Sequence, residues 1–312
     1  MTSQSAKLRQ SVSIPIIAAP MFLCSGVDLV VACCVEGVVG TFPALNGRTS
    51  QAFDDMLNAI ETRLATHQSE HPDTIVAPYG VNLIVHASNM RLQQDLAICA
   101  KYKVPLIITS LGKPTAICEI VHGYGGLVFS DVASIEHAKK AAECGVDGLI
   151  LVCAGAGGHA GRLNPFAFVS GVREFFNGTI VLAGCIADGR AVRASEVLGA
   201  DFAYVGTRFI PTLESLATQG HKDMICASSA SDIVYTPAVT GVPANFLRPS
   251  LAACGYDIER LDTMQRGMNL DIDEESKAWR DTWSAGQGID TIHEVQSVKS
   301  VIDDFKRGYA LG

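Results

Sequence analysis

Short apolar runs alternate with longer amphipathic segments through the first two-thirds of the chain. The runs begin near Ser13 (SIPIIAAPM), Val38 (VVGTF), Tyr79 (YGVNLIV), Pro105 (PLIITSL), Gly126 (GLVFS), Gly148 (GLILVC), Thr179 (TIVLAG) and Phe202 (FAYVG). Runs this short and this free of charge read as strands buried on both faces, as in parallel sheets. Between them, apolar residues recur at three- and four-residue steps over 27–36, 50–66, 89–102, 114–123, 133–144, 165–176 and 189–198, which predicts helices. Gly145 after AAEC and Gly199 after SEVL stand where helix-terminating glycines belong. Strand and helix in strict alternation demand right-handed parallel crossovers. Eight such units within residues 1–220 predict an α/β fold, a (β/α)8 TIM barrel, with a doubly wound open sheet as the alternative.

From His221 onward the rhythm fails. Helices are predicted over 273–285 and 291–307, with no further buried strand of the same kind. Residues 221–312 are therefore expected as a C-terminal helical addition packing on or near the barrel mouth, and 1–220 as the barrel. The polar insertion HQSEHPD between the second and third strands reads as surface.

Composition narrows the function classes. With 48% hydrophobic and only 18% charged residues, a packed globule is expected over disorder. A net charge of −8 and the lack of any basic cluster argue against a nucleic-acid partner. No run of about 18 uncharged apolar residues predicts a membrane span, and prolines 15 and 20 interrupt the apolar N-terminal stretch before it reaches signal-peptide length. The ten cysteines contain no C-x-x-C pair, and Cys33, Cys34 and Cys153 lie in apolar runs. They read as small buried hydrophobes in a reducing compartment, the cytoplasm.

The candidate chemistry centres on Asp147–Gly161, DGLILVCAGAGGHAG. A buried strand breaks there into a loop with four glycines and one ionisable side chain, His159. Barrel enzymes place their chemistry at such carboxyl ends of strands, so the other strand ends complete the site. They are Ala19, Pro20 and Met21 on the first strand, Asn82 on the third, AGCIADG (Ala183–Gly189) on the seventh and VGTRF (Val205–Phe209) on the eighth. Glycine loops after the last two strands, with helix N-termini expected at Asp188 and Thr207, predict a phosphate site and hence a phosphate-bearing cofactor.

With APM, GGHAG, AGCIADG and VGTRF in this order on these strands, residues 13–212 resemble the nitronate monooxygenases, formerly 2-nitropropane dioxygenases, and also their relatives the flavin-dependent enoyl-acyl-carrier-protein reductases. The resemblance implies FMN. Ala19, Pro20 and Met21 would line its isoalloxazine and Asn82 would hydrogen-bond it. Gly158, Gly184, Cys185, Gly206 and Thr207 would hold its phosphate end, Gly157, Ala183 and Val205 would be further cofactor contacts, and His159 would match the catalytic histidine. Some members carry a lysine near the end of strand five. Here Phe129, Ser130 and Asp131 stand in that region, and Ser130 is the expected cofactor contact. The doubled glycine before His159 is nearer the reductase pattern.

The implied reaction suits the residues. A nitroalkane becomes a nitronate by losing the proton beside its nitro group, and a base titrating near neutrality serves best. Nitronate or nitroalkane, oxygen and NAD(P)H are thus the small-molecule partners to consider, with a homodimer left open. Two alternatives stand beside the monooxygenase: an NAD(P)H-dependent flavin reductase of the enoyl or quinone type, and an idle flavin-binding protein. Three further motifs carry less. His67-Gln-Ser-Glu70-His71 spells H-x-x-E-H, but Pro72 follows at once and no third metal ligand is near. Gly155–Ala160 fits a relaxed dinucleotide fingerprint, yet the next helix starts afresh at Asn164-Pro165. Ser110 lacks the G-x-S-x-G context of a hydrolase nucleophile and reads as the end of strand four.

Overall fold

The computed structural model describes residues 3–263 and 279–312. All eight apolar runs form strands: β1 (Ile16–Ala18), β2 (Val39–Pro43), β3 (Tyr79–Ile84), β4 (Leu106–Ser110), β5 (Leu127–Val132), β6 (Gly148–Val152), β8 (Thr179–Ala183) and β9 (Phe202–Val205). A two-residue strand, β7 (Gly158–His159), falls between β6 and β8. The eight longer strands close into one parallel barrel in which β9 returns to pair with β1, Ala18 opposite Val205.

Alternation sorts each strand's side chains. Ile17, Val39, Ile108, Phe129, Ile150, Val181 and Phe202 fill the barrel interior. Their neighbours in sequence, such as Leu149, Leu151 and Ile107, pack outward under the helices. Below, Leu8 on α1 (Ser3–Gln10) and the following Val12 plug the interior against Leu106 and Leu127. The helices α2 (Val27–Val35), α3 (Ser50–Glu70), α4 (Leu92–Lys101), α5 (Thr115–Gly123), α6 (Ile135–Glu143), α7 (Pro165–Arg173) and α8 (Gly189–Leu198) each follow their strand as expected. Gly199 ends α8 in the left-handed region at φ 109°, the terminator the sequence predicts.

Beyond β9 the expected C-terminal helix is present, with two features added. First, residues 219–253 hold α9 (Gln219–Ala227), then β10 (Ile233–Thr236), β11 (Ala244–Leu247) and α10 (Arg248–Ala253). The strands β10 and β11 form a three-stranded antiparallel sheet with β7. Second, the helix expected over 291–307 is α11 (Val298–Ala310), started by the Ser297 side chain, which accepts from the Ser300 N–H. Its Val298, Val301, Ile302 and Phe305 bury against Leu29 and Cys33 of α2 and Val192 of α8. This helix is the eighth of the barrel wall and lies away from the mouth. Of the helix expected over 273–285, residues 273–278 lie outside the described residues, and Trp283–Gly286 is irregular.

Candidate active site

The carboxyl ends of the strands open into a cavity of about 1500 Å³. That exceeds the roughly 300–1,000 Å³ of an ordinary ligand pocket, so it has room for a cofactor and a second molecule together. Nearly all of the expected contacts line it: Ala19, Pro20, Met21, Asn82, Ser130, Gly157, Gly158, His159, Ala183, Gly184, Cys185, Gly206 and Thr207. Val205 does not. Its side chain is fully buried with Ile16 and Ala18 in the wall beneath α11, because the strand's pleat turns Tyr204 inward in its place.

One side of the cavity is a cradle of backbone. A Cβ on Gly155, whose φ is 81°, would stand 2.4 Å from Cys185 Sγ, and one on Gly157 would stand 2.9 Å from the Gly286 nitrogen. The Gly286 N–H donates to Thr207 Oγ1 at 2.8 Å, and the Gln287 N–H donates to the Gly155 carbonyl at 2.9 Å. Loops after β6, β8 and β9 therefore close against residues 285–288, and only glycine permits the approach. A side-chain-free concavity of this kind suits a phosphate held by backbone N–H groups. At the N-terminus of α8 the Asp188 carboxylate accepts from Ala191 N and caps the helix. Residues 285–288 went unforeseen. Their one sequence signal is the pair Gly286 and Gly288, far along the chain from the loops they meet.

His159 sits at the rim of this cradle on β7, opposite Ala244 of β11. The glycine loop it belongs to is pinned on several sides. Asn245 Nδ2 donates to the Ala156 carbonyl at 2.7 Å, Tyr235 OH donates to the Ala160 carbonyl at 3.1 Å, and the Ala160 N–H reaches the Pro243 carbonyl. The imidazole meets the edge of Trp279, ring centres 5.3 Å apart at 76°, and that indole stacks on Phe246. An imidazole so held is restricted in orientation at the cavity.

The cavity floor is the top layer of barrel-interior side chains. Asn82 Nδ2 donates to Ser110 Oγ at 2.7 Å, and Ser110 Oγ donates to Asp131 Oδ2 at 2.7 Å. Burial pushes the Asp131 carboxyl up to about 6 against the lowering effect of the Ser110 hydrogen bond. Since Phe129 packs inside the barrel, the pleat turns Asp131 inward as well and Ser130 to the opposite face, where it lines the cavity's side. Asp131 and Tyr204 were not foreseen as floor residues. Strand period would have found them had it been applied at the strand ends.

The family model described as nitronate monooxygenase matches residues 50–307, spanning the cradle, the histidine and the floor. The chain belongs to the nitronate monooxygenase family. A Staphylococcus haemolyticus protein named probable nitronate monooxygenase is 27% identical over 303 residues, 83% of this chain and 80% of that one. A Mycobacterium tuberculosis protein named 5-hydroxy-7a-methyl-1-oxo-octahydro-1H-indene-4-carboxyl-CoA dehydrogenase is 25% identical over 255 residues, 81% of this chain and 66% of its own length. Among solved structures, a single-residue variant of FabK from Thermotoga maritima superimposes with a TM-score of 0.78 at 26% identity, covering 100% of this chain and 97% of that one. This nitronate monooxygenase family member is a flavin-dependent oxidoreductase.

The remaining motifs have other roles. His67 and His71 face each other, 4.6 Å between ring centres, at the far end of α3, and neither lines the cavity. Ser110 ends β4, as expected, and serves the floor. His221, buried in the cavity wall, is stacked on Trp283 at 5.4 Å with Nε2 3.1 Å from the Ser284 carbonyl, and burial pushes its pKa down from 6.5 to about 4. Between those two values the unfolded chain takes up the proton first, so this group's stabilisation is complete above pH 6.5 and is lost as pH falls toward 4. The loss is on the order of 3 kcal/mol. Melting temperatures measured from pH 7 to 4 should therefore fall more steeply for the native protein than for His221→Gln. Parallel curves would refute a neutral, buried His221.

Proposed function

We propose that the protein is an FMN-dependent nitronate monooxygenase that oxidises alkyl nitronates, and nitroalkanes after deprotonation, with oxygen. The observation that carries this reading is the position of His159, pinned beside the glycine cradle and lining the cavity. The residues fit a flavin mononucleotide. The cradle offers backbone to a phosphate, Met21 and Pro20 supply an apolar surface for a ring, and the floor beneath is polar. Bound there, FMN would accept the substrate's electrons and pass them to oxygen. His159 takes the proton beside the nitro group and holds the resulting anion by charge and hydrogen bond. Trp279 keeps the imidazole in place. With ten cysteines, all unpaired and six of them buried, the proposed setting is the reducing cytoplasm.

An NAD(P)H-dependent reductase is the second reading. It is favoured by a cavity large enough for a nicotinamide cofactor or a bulky thioester beside the flavin, and by the FabK likeness. The purified protein should be yellow and release FMN, not FAD, on denaturation. One anaerobic mixing then separates the readings. Rapid bleaching by a nitronate but not by NADH or NADPH supports the monooxygenase, bleaching by a nicotinamide supports the reductase, and a colourless protein that FMN cannot reconstitute sinks both.

A further inference from the structure

Two polar atoms on the cavity floor are satisfied by nothing in the described protein. Asp131 Oδ1 and the Tyr204 hydroxyl are both shielded from solvent and lack a hydrogen-bond partner among the described residues. Each such atom costs on the order of 1–3 kcal/mol if it stays bare, and native structures rarely leave one without a water, ion or ligand to meet it. The neighbouring groups are already committed. Asn82 donates to Ser110, Ser110 donates to Asp131 Oδ2, and the carboxylate is thereby held with its other oxygen presented. Tyr204 stands across the barrel on β9, one residue before the Val205-Gly206-Thr207 turn of the cradle, and the charge of Asp131 acts on its hydroxyl. Both residues line the cavity.

The two atoms ask for opposite things. At neutral pH the ionised Asp131 only accepts, whereas Tyr204, whose pKa burial raises well above 10, stays protonated and donates. A ligand that satisfies both must offer a donor beside an acceptor, as an N–H next to a carbonyl does. The flanking floor positions, Val152 and Ala183, are apolar and supply neither. A flat ring laid across Pro20 and Met21 with its phosphate in the cradle would cover this pair. We propose that Asp131 and Tyr204 bind the –CO–NH– edge of the flavin's pyrimidine ring, Asp131 Oδ1 accepting from the ring N–H and Tyr204 donating to the adjacent carbonyl. This rests on the flavin reading above. It makes the pair positioning residues that also set the ring's electronics, because a carboxylate at that edge opposes the negative charge that reduction brings.

The test uses the FMN-reconstituted full chain with Asp131→Asn, which keeps shape but drops the charge, and Tyr204→Phe, which drops the donor. Asp131→Asn should favour reduced over oxidised flavin about tenfold, an upward shift of about 30 mV in midpoint potential for a two-electron couple. Tyr204→Phe should weaken oxidised FMN binding about tenfold, and the double variant should lose less than the product of the two single losses. Tyr204→Phe removes an unsatisfied polar atom and Asp131→Asn removes a buried charge, so the flavin-free variants should melt no lower than the native protein. If Asp131→Asn fails to fold, Tyr204→Phe alone decides. Unchanged potential and FMN affinity in variants of a native protein that itself binds FMN would overturn the proposal and leave water as the occupant of the floor. A native protein that takes up no flavin overturns the flavin reading and this pair's role together, and is recognised before any variant is made.

Discussion

His159→Asn should retain its flavin and lose about 10²–10⁴-fold in kcat/KM on a neutral nitroalkane, the usual range for a missing general base. The backbone of His159 is a strand residue opposite Ala244, and asparagine can keep that pairing while removing the imidazole. A preformed nitronate has already lost the proton in question, so its oxidation should suffer far less, through weaker orientation of the anion only. The contrast between the two substrates isolates the role. Equal losses on both, with the flavin spectrum intact, would make His159 a binding group. No loss on either would mean that another group does the chemistry.

Thr207→Glu should strip the protein of FMN. The Thr207 hydroxyl accepts from the Gly286 N–H at 2.8 Å, so it ties the segment 285–288 to the turn after β9 as well as facing the proposed phosphate position. Glutamate brings a like charge toward that anion, worth about 4 kcal/mol at roughly 4 Å and an effective dielectric near 20, which corresponds to about a thousandfold weaker binding. Thr207→Val separates the effects, since it removes the tie to Gly286 but adds no charge, and it should cost far less. Flavin occupancy after dialysis reads both variants. Full retention by Thr207→Glu would move the phosphate elsewhere.

The barrel was legible because parallel strands buried on both faces must be apolar runs, and each of the eight is one. Its helix ends were legible where a glycine occupies a left-handed position, as at Gly145 and Gly199. The small antiparallel sheet was not. Its strands are two to four residues long, and β7 finds its partner about 85 residues away, so no local periodicity encodes the pairing. Still larger separations from the His159 loop hid Gly286 and Trp279, which reach the site only once the chain has folded back. At the end of β5 the difficulty was one of phase. The likeness directed attention to Ser130, and the two-residue period of a strand hands the barrel floor to Asp131 instead.

The position of α11 has a consequence for how the molecule is made. Until residues 298–310 emerge from the ribosome, the apolar sides of α2 and α8 that meet Phe305 stay bare, although all eight strands have already been synthesised. The wall is completed only by α11, so the nascent barrel carries an open seam for the time it takes to make about ninety further residues after β9, at some 5–20 residues per second. A stop codon just ahead of Val298 would leave every cavity-lining residue in the chain and still yield a barrel with a missing stave.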